Sequence, residues 1–173
     1  DYRHLVSGPL DPGIQIGYCT STGGGWAQEF VAHESQLHDV PEHLSDEAAV
    51  MIEPTAVGVH AALRTPIEPG ACVAIIGAGT TGLTTLAAVN QLTEAGTVIV
   101  AAKYPEQIEL ATSLGADLVV APDELTRAVR RATGSHMIGD DLSGGADVVV
   151  DAVGTEASLG EAIGISRPRG AVV

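Results

Sequence analysis

Positive charge is scarce in this chain. Eight Lys and Arg stand against 22 Asp and Glu, a formal net charge of −14, which excludes a surface built to hold nucleic acid or anionic lipid. An anionic ligand would have to be held by local N–H groups instead. Cysteine is nearly absent: Cys19 and Cys72 are far apart and form neither a disulfide framework nor a metal-type pair. Cys72 lies in an apolar run and reads as a small core residue. Aromatics make up only 3% of the chain, so Ala, Val, Ile and Leu must build the core. Such small and branched residues suit a parallel sheet under closely packed helices. No apolar run approaches the ~18 residues of a membrane span. No basic-plus-apolar leader opens the chain, so cytoplasmic residence is the expectation. At 173 residues there is enough chain for one sizeable core and little for two.

What the chain does have is glycine in an informative place. Cys72-Val73-Ala74-Ile75-Ile76 runs into Gly77-Ala78-Gly79-Thr80-Thr81-Gly82. Three glycines at this spacing let a backbone turn sharply, come close to a pyrophosphate and pack a helix tightly on a strand. The phosphates then sit at the helix N-terminus, where unpaired N–H groups favour anions. A G-x-G-x-x-G alone is weak, but one at a strand-to-helix junction followed by further strand–helix units points to dinucleotide binding.

Those further units are present. Apolar runs predict strands at 72–76, 97–101, 117–121, 146–151 and 170–173, and helices at 80–93, 105–114, 123–133 and 156–165. Gly115 follows Leu114 as a natural helix-ending residue. Alternation of this kind implies right-handed crossovers and a parallel sheet. Upstream, Trp26 to Ala32 alternates and predicts a half-buried strand, while Ile14, Ile16 and Tyr18 give a fainter one. Ser45 is placed to cap a helix whose first turn holds Asp46 and Glu47. Pro54 should break or restart that helix. The Gly- and Asp-rich stretch 134–145 reads as loop, and Gly134-Ser135-His136-Met137 within it as native sequence.

Candidate site residues follow from the same frame. An acid at the end of the second strand would hold the adenosine ribose, yet that strand runs into Ala101-Ala102-Lys103-Tyr104. Ala102 cannot hold a 2′-hydroxyl, Lys103 could pair a 2′-phosphate, and Tyr104 could lie along adenine, so NADP is favoured over NAD. Lys103 as an ordinary solvated lysine is the rival reading. The hydroxyls of Thr80 and Thr81 could bond phosphate or simply cap the helix. Glu53-Pro54 falls in an apolar stretch, where a buried carboxylate would need a metal, an arginine or a helix N-terminus as partner. Asp151 ends the fourth strand at the edge where ligands bind and either borders the cofactor or caps the next helix. His4, His33, His38, His43, His60 and His136 show no metal-ligand spacing. Ser158 and Ser166 lack a nucleophile-elbow context.

Taken together, the chain resembles the medium-chain dehydrogenase/reductase family, in its zinc-dependent alcohol dehydrogenase-like branch. The likeness rests on Gly24-Gly25-Trp26-Ala27-Gln28-Glu29-Phe30-Val31, on Val40-Pro41 with Leu44 to Ala49, and on Glu53-Pro54 with Val57 to Ala62. It extends through Pro69-Gly70, the Gly77–Gly82 turn and Ala111 to Asp117. The resemblance implies an α/β fold: a Rossmann-type parallel sheet with helices on both faces, preceded by a remnant of a β-rich catalytic domain. Residues 1–52 would be the end of that GroES-like domain with a linking helix, and 53–173 a nucleotide domain cut short at its C-terminal end. The implied reaction is hydride transfer between an alcohol or aldehyde and NADP or NAD, with zinc acting as Lewis acid on the substrate oxygen. By the same resemblance Glu53 matches a zinc ligand or nearby acid, Val57 touches the nicotinamide, and Ala102 replaces the ribose-binding acid. The cofactor set is then Gly77, Gly79, Thr80, Thr81, Gly82, Ala102, Lys103, Tyr104 and Val57. The remaining zinc-ligand region of the family has no counterpart in this chain. The chain alone is therefore expected to bind dinucleotide without full catalysis, and no catalytic residue is assigned within it. Relatives form dimers and tetramers, which leaves room for a homo-oligomer. The rival readings are a non-catalytic dinucleotide-binding module and a zinc-free quinone or enoyl reductase.

Overall fold

In the computed structural model, the described residues are 25–30, 32, 34, 37–135, 137–139, 141, 142 and 145–173. The chain divides into two units, one ending at Ala49 and the other spanning Val50–Val173. In the first, α1 (Asp46–Ala49) is a single turn, and Ser45 Oγ accepts from the Ala48 N–H at 3.3 Å, as the capping pattern predicts. The same serine and its own backbone N–H hold Glu47 below the usual carboxylate range, the backbone contribution being the larger. The strand predicted at 26–32 is not found among the described residues: 25–28 are bends and Trp26 is fully exposed. Alternation makes a strand only where a partner supplies ladder hydrogen bonds, and no described residue pairs with this stretch. The fainter strand around Ile14, Ile16 and Tyr18, together with Cys19, His4, His33 and His136, lies outside the described residues.

The second unit holds the sheet. Helix α2 (Ile52–Arg64) restarts after Met51, with Pro54 in its first turn, where the missing N–H costs nothing. Five strands then make one parallel sheet: β1 (Cys72–Ile76), β2 (Thr97–Ala101), β3 (Leu118–Val120), β6 (Ala146–Asp151) and β7 (Ser166–Val172), in the order β3-β2-β1-β6-β7. Between them lie α3 (Thr80–Leu92), α4 (Pro105–Ser113), α5 (Leu125–Thr133) and α6 (Glu156–Ile165). The loop expected at 134–145 contains a small antiparallel hairpin, β4 (Met137–Ile138) with β5 (Asp141–Leu142). Sheet order reverses between β1 and β6, which makes their carboxyl ends the switch point where such sheets bind ligands.

Burial explains why the strands were readable. Every residue of β1 is buried, and its side chains alternate between two cores. Val73 and Ile75 pack with Leu86 and Val89 of α3, Ala62 of α2 and Ala111 of α4. Cys72, Ala74 and Ile76 pack with Leu125 and Val129 of α5 and with Ala162 and Ile165 of α6. Both faces are covered, so the strands are continuous apolar runs. Small residues set the spacing: a Cβ at Gly58 of α2 would lie 2.7 Å from the Thr85 nitrogen of α3.

Two carboxylates tie the strand starts. Asp147 Oδ2 accepts from the Cys72 N–H at 2.8 Å, and Asp117 Oδ2 accepts from the Val98 N–H at 2.7 Å. Asp147 also pairs with Arg167 of β7. Burial pushes the Cys72 thiol up to about 11, and the charges of Asp147 and Asp117 push the same way. β7 begins four residues before the strand predicted at 170, because the chain leaves α6 directly into an edge position that tolerates Pro168. Its register slips between Ala146 and Val148, and next to that slip the exposed Arg169 sits at φ 65°.

Two outcomes are expected. Arg169→Gly should raise the stability of the sheet by about 1 kcal/mol, since a left-handed non-glycine residue is strained; thermal unfolding reads this. Cys72 should resist aromatic disulfide reagents at pH 8 in the native state and react after unfolding, as peptide mass spectrometry would show.

Candidate functional site

The three turn glycines have three different tasks. Gly77 leaves β1 at φ 93°, a left-handed turn natural to glycine, and a Cβ there would lie 2.6 Å from Val153 Cγ2. Gly82 has no room either, since a Cβ would overlap the Gly77 carbonyl oxygen. Gly79 differs: it is exposed, and the space beside it is open. The first and third glycines therefore bring α3 down onto the end of β1, and the second leaves a gap above the helix start.

That helix start is electrostatically prepared. Gly79 is the N-cap of α3, no side chain caps it, and no acid lies in its first turn. Its unpaired N–H groups and dipole thus face the gap. Thr80 and Thr81 are exposed beside it. The capping role considered for their hydroxyls is not seen, because the helix begins one residue earlier than such a cap requires.

A cleft of about 560 Å³ opens at this point, along the carboxyl ends of β1, β2 and β6. Gly77 and Gly79 form one wall, Lys103 and Tyr104 another, and Val153 and Ser158 a third. Ala101 lines the cleft, whereas Ala102 is buried in the core beneath it. Lys103 Nζ lies 5.5 Å from the Tyr104 ring centroid. Gln107 Oε1 accepts from the Lys103 N–H at 3.1 Å and from the Tyr104 N–H at 3.4 Å, which fixes this corner. Gln107 was not singled out from sequence, though a Gln in the first turn after Tyr104-Pro105 is a recognisable capping signal.

Asp151 neither stays free to meet a ligand nor caps α6. Its Oδ1 accepts from the N–H groups of Val153 and Gly154, and its Oδ2 from the Ser158 hydroxyl at 2.9 Å. Thr155 caps α6 instead, accepting from the Ser158 N–H at 3.1 Å. Burial alone would raise the Asp151 pKa, but the bonds from Gly154, Val153 and Ser158 together hold it below its ordinary value of 3.8. The loop forming the cleft's third wall is thereby fastened to the end of β6.

The other predicted residues fall elsewhere. Glu53, expected to be a buried carboxylate, is exposed in the first turn of α2. Its apolar neighbours Met51, Ile52 and Val57 are exposed as well, and the buried positions of this helix are Gly58 and Ala62. Val57 is 44% exposed and does not line the cleft. His38, His43 and His60 are exposed, and among the described residues no three His, Cys, Asp or Glu are grouped to hold a metal ion.

The family described as "Zinc-binding dehydrogenase" matches residues 81–173. "Sorbitol dehydrogenase" of Bacillus subtilis (strain 168) is 31% identical over 163 residues, covering 93% of this chain and 44% of the relative. "Probable D-xylulose reductase A" of Arthroderma otae is 32% identical, covering 87% and 41%. Among solved structures, zinc dependent alcohol dehydrogenase 2 from Streptococcus pneumonia superimposes with a TM-score of 0.69 at 30% identity, over 91% of this chain and 46% of that one. A putative zinc-binding dehydrogenase from Sinorhizobium meliloti 1021 bound to NADP gives 0.69 at 28% identity, over 87% and 42%. The chain spans less than half the length of these relatives.

The Asp151 arrangement has a pH signature. A carboxylate whose pKa is depressed by folding stabilises the fold above its unfolded pKa and loses that contribution as pH falls through the folded one. Asp151→Asn should therefore lower the urea midpoint at neutral pH. The gap to the parent should close as the pH drops below 3.8.

Proposed function

The chain belongs to the zinc-binding dehydrogenase family, and on that footing we propose that it carries the cofactor-holding part of an oxidoreductase moving a hydride between a small alcohol or aldehyde and NAD(P). The observation that carries this reading is the uncapped N-terminus of α3 behind the open space at Gly79. In a protein of net charge −14, a pyrophosphate needs such a device. Backbone N–H groups of α3 would bind it, and neither Gly77 nor Gly82 leaves room for a side chain to intrude. The nicotinamide, when bound, supplies the hydride acceptor or donor.

NADP is favoured over NAD. Lys103 is exposed just past the end of β2, and positions 102–104 hold no carboxylate to bond a ribose 2′-hydroxyl or repel a 2′-phosphate. Tyr104 stands beside it in the cleft, ready to lie along the base. Relatives named for sorbitol and xylulose support a polyol-class substrate, and solved relatives bound to NADP and to NADH support a nicotinamide dinucleotide of either kind. In this reading residues 53–173 are the nucleotide domain and 1–52 the end of a catalytic domain. Val57 would approach the nicotinamide from α2.

Zinc does not fit the described residues, because they gather no ligand set. Glu53, in the first turn of α2, could offer one carboxylate to a site completed by other ligands. No helix among the described residues is long and apolar enough to cross a membrane.

Titration calorimetry with NADPH and NADH, on the parent and on Lys103→Glu, tests the proposal. NADPH should bind about tenfold more tightly than NADH, as expected for one charge-assisted phosphate contact, and the variant should lose that preference. Equal affinities in the parent would sink the NADP assignment. Binding of neither would sink the dinucleotide reading.

A further inference from the structure

The few cations of this chain are concentrated. Three of the eight Lys and Arg, namely Arg127, Arg130 and Arg131, fall within five residues of α5, and no acid lies between Leu125 and Gly139. Like charges at i, i+3 and i, i+4 spacing destabilise a helix. Packing does not call for them, since Leu125, Ala128 and Val129 form the buried face. The three arginines line a cavity of about 430 Å³ with Asp123, Thr126 and Ser135. It shares no lining residue with the cleft at Gly79. Arg127 pairs with Glu124 at 3.5 Å, whereas Arg130 and Arg131 meet no carboxylate among the described residues. Arg130 is half-buried, and its Nε is sealed from solvent without a hydrogen-bond partner. We propose that the Arg130–Arg131 end of this cavity is a binding site for a doubly charged phosphate group, separate from the dinucleotide cleft.

Charge balance leads to this assignment. A sealed N–H without a partner is rare in a folded protein, and a half-buried guanidinium without a counter-charge is costlier still. The C-terminus of α5 offsets part of that cost, because Arg130 and Arg131 lie in its last turn. A helix end is equivalent to only about half an elementary charge, against two guanidinium charges. An oxyanion in the cavity supplies the rest. Guanidinium forks match phosphate oxygens in bidentate geometry, and the exposed Ser135 adds a hydroxyl donor at the wall. Thr126 adds none, since its hydroxyl is donated to Glu161 Oε1 of α6 at 3.2 Å. Asp123 stands seven residues before Arg130, about 10 Å along a helix axis, and so confines an anion to the arginine end. Two uncompensated cations suit a dianion. The cavity leaves room beyond one phosphate, so the group can arrive free or on a small ester.

The test is a titration of the full chain with inorganic phosphate and with glycerol 3-phosphate at constant ionic strength, followed by the arginine Nε–H signals in proton–nitrogen NMR spectra. The Arg130 and Arg131 signals should move saturably, while that of Arg64 stays in place. Chloride at the same ionic strength should move none of them. Arg131→Gln should weaken phosphate binding about tenfold, as loss of a charge-assisted contact requires. Arg131→Lys, which keeps the charge and loses the fork, should fall between the two. Tighter binding of the ester assigns the group to an esterified ligand and equal binding to the free ion, and either result supports the site. Shifts that chloride reproduces, that do not saturate, or that survive Arg131→Gln would overturn it. Phosphate held at the start of α3 instead would move the amide signals near Gly79 and leave Arg130 and Arg131 unchanged, which would overturn this site and not the cofactor reading.

Discussion

The contact between α3 and the end of β1 is the constraint from which the rest of the site follows. No carbon fits between Gly82 and the carbonyl of Gly77, so the helix starts directly against the strand. That closeness aims the N-terminus of α3 along the carboxyl edge of the sheet. It also leaves the N–H groups of its first turn without side-chain partners. The packing of Leu86 and Val89 against Val73 and Ile75 holds the helix in this attitude, and both ends of the arrangement are fully buried. A fold that buries every residue of β1 can keep one helix end unsatisfied, because the cores on either side over-determine its place.

Acidity and anion binding are then compatible. The protein's overall field repels anions, but dipole and N–H interactions act within a turn and are weakly screened inside a cleft. The chain accordingly keeps acids out of the first turn of α3 and uses its carboxylates as internal fasteners. Asp147 and Asp117 bond the N–H groups at the starts of β1 and β2, and Asp151 bonds two N–H groups of the turn after β6. Each sits at a strand end, where the ladder leaves backbone groups unpaired. Net charge therefore says little about what the cleft accepts.

The strands and helices of the sheet were legible because burial on both faces turns strands into apolar runs, punctuated by Gly and Pro. The glycine turn was legible because backbone geometry, not packing, dictates it. Alternation at 26–32 meets no partner strand among the described residues, since a period-two pattern records only a willingness to pair. Glu53 looked buried because its neighbours are apolar, yet Met51, Ile52 and Val57 are exposed with it. Sequence cannot tell an apolar residue facing solvent from one facing a core. Gln107, Pro122 and Glu161 were missed for another reason. They come from three separate connections and meet only because parallel crossovers bring every carboxyl-end loop to one edge of the sheet.

That edge is not uniform, and its asymmetry orients a ligand. Lys103 supplies a cation at the end of β2, α3 supplies a dipole in the middle, and Glu161 supplies an acceptor from α6. A doubly charged bridge and a phosphorylated ribose would suit the first two together. Turned end for end, such a molecule would keep its bridge at the helix end and carry its phosphorylated ribose away from Lys103. A cation on one side of the helix end would thus favour one direction of such a ligand over the other. Such discrimination could not come from the apolar walls, which are indifferent to which way a flat ring points.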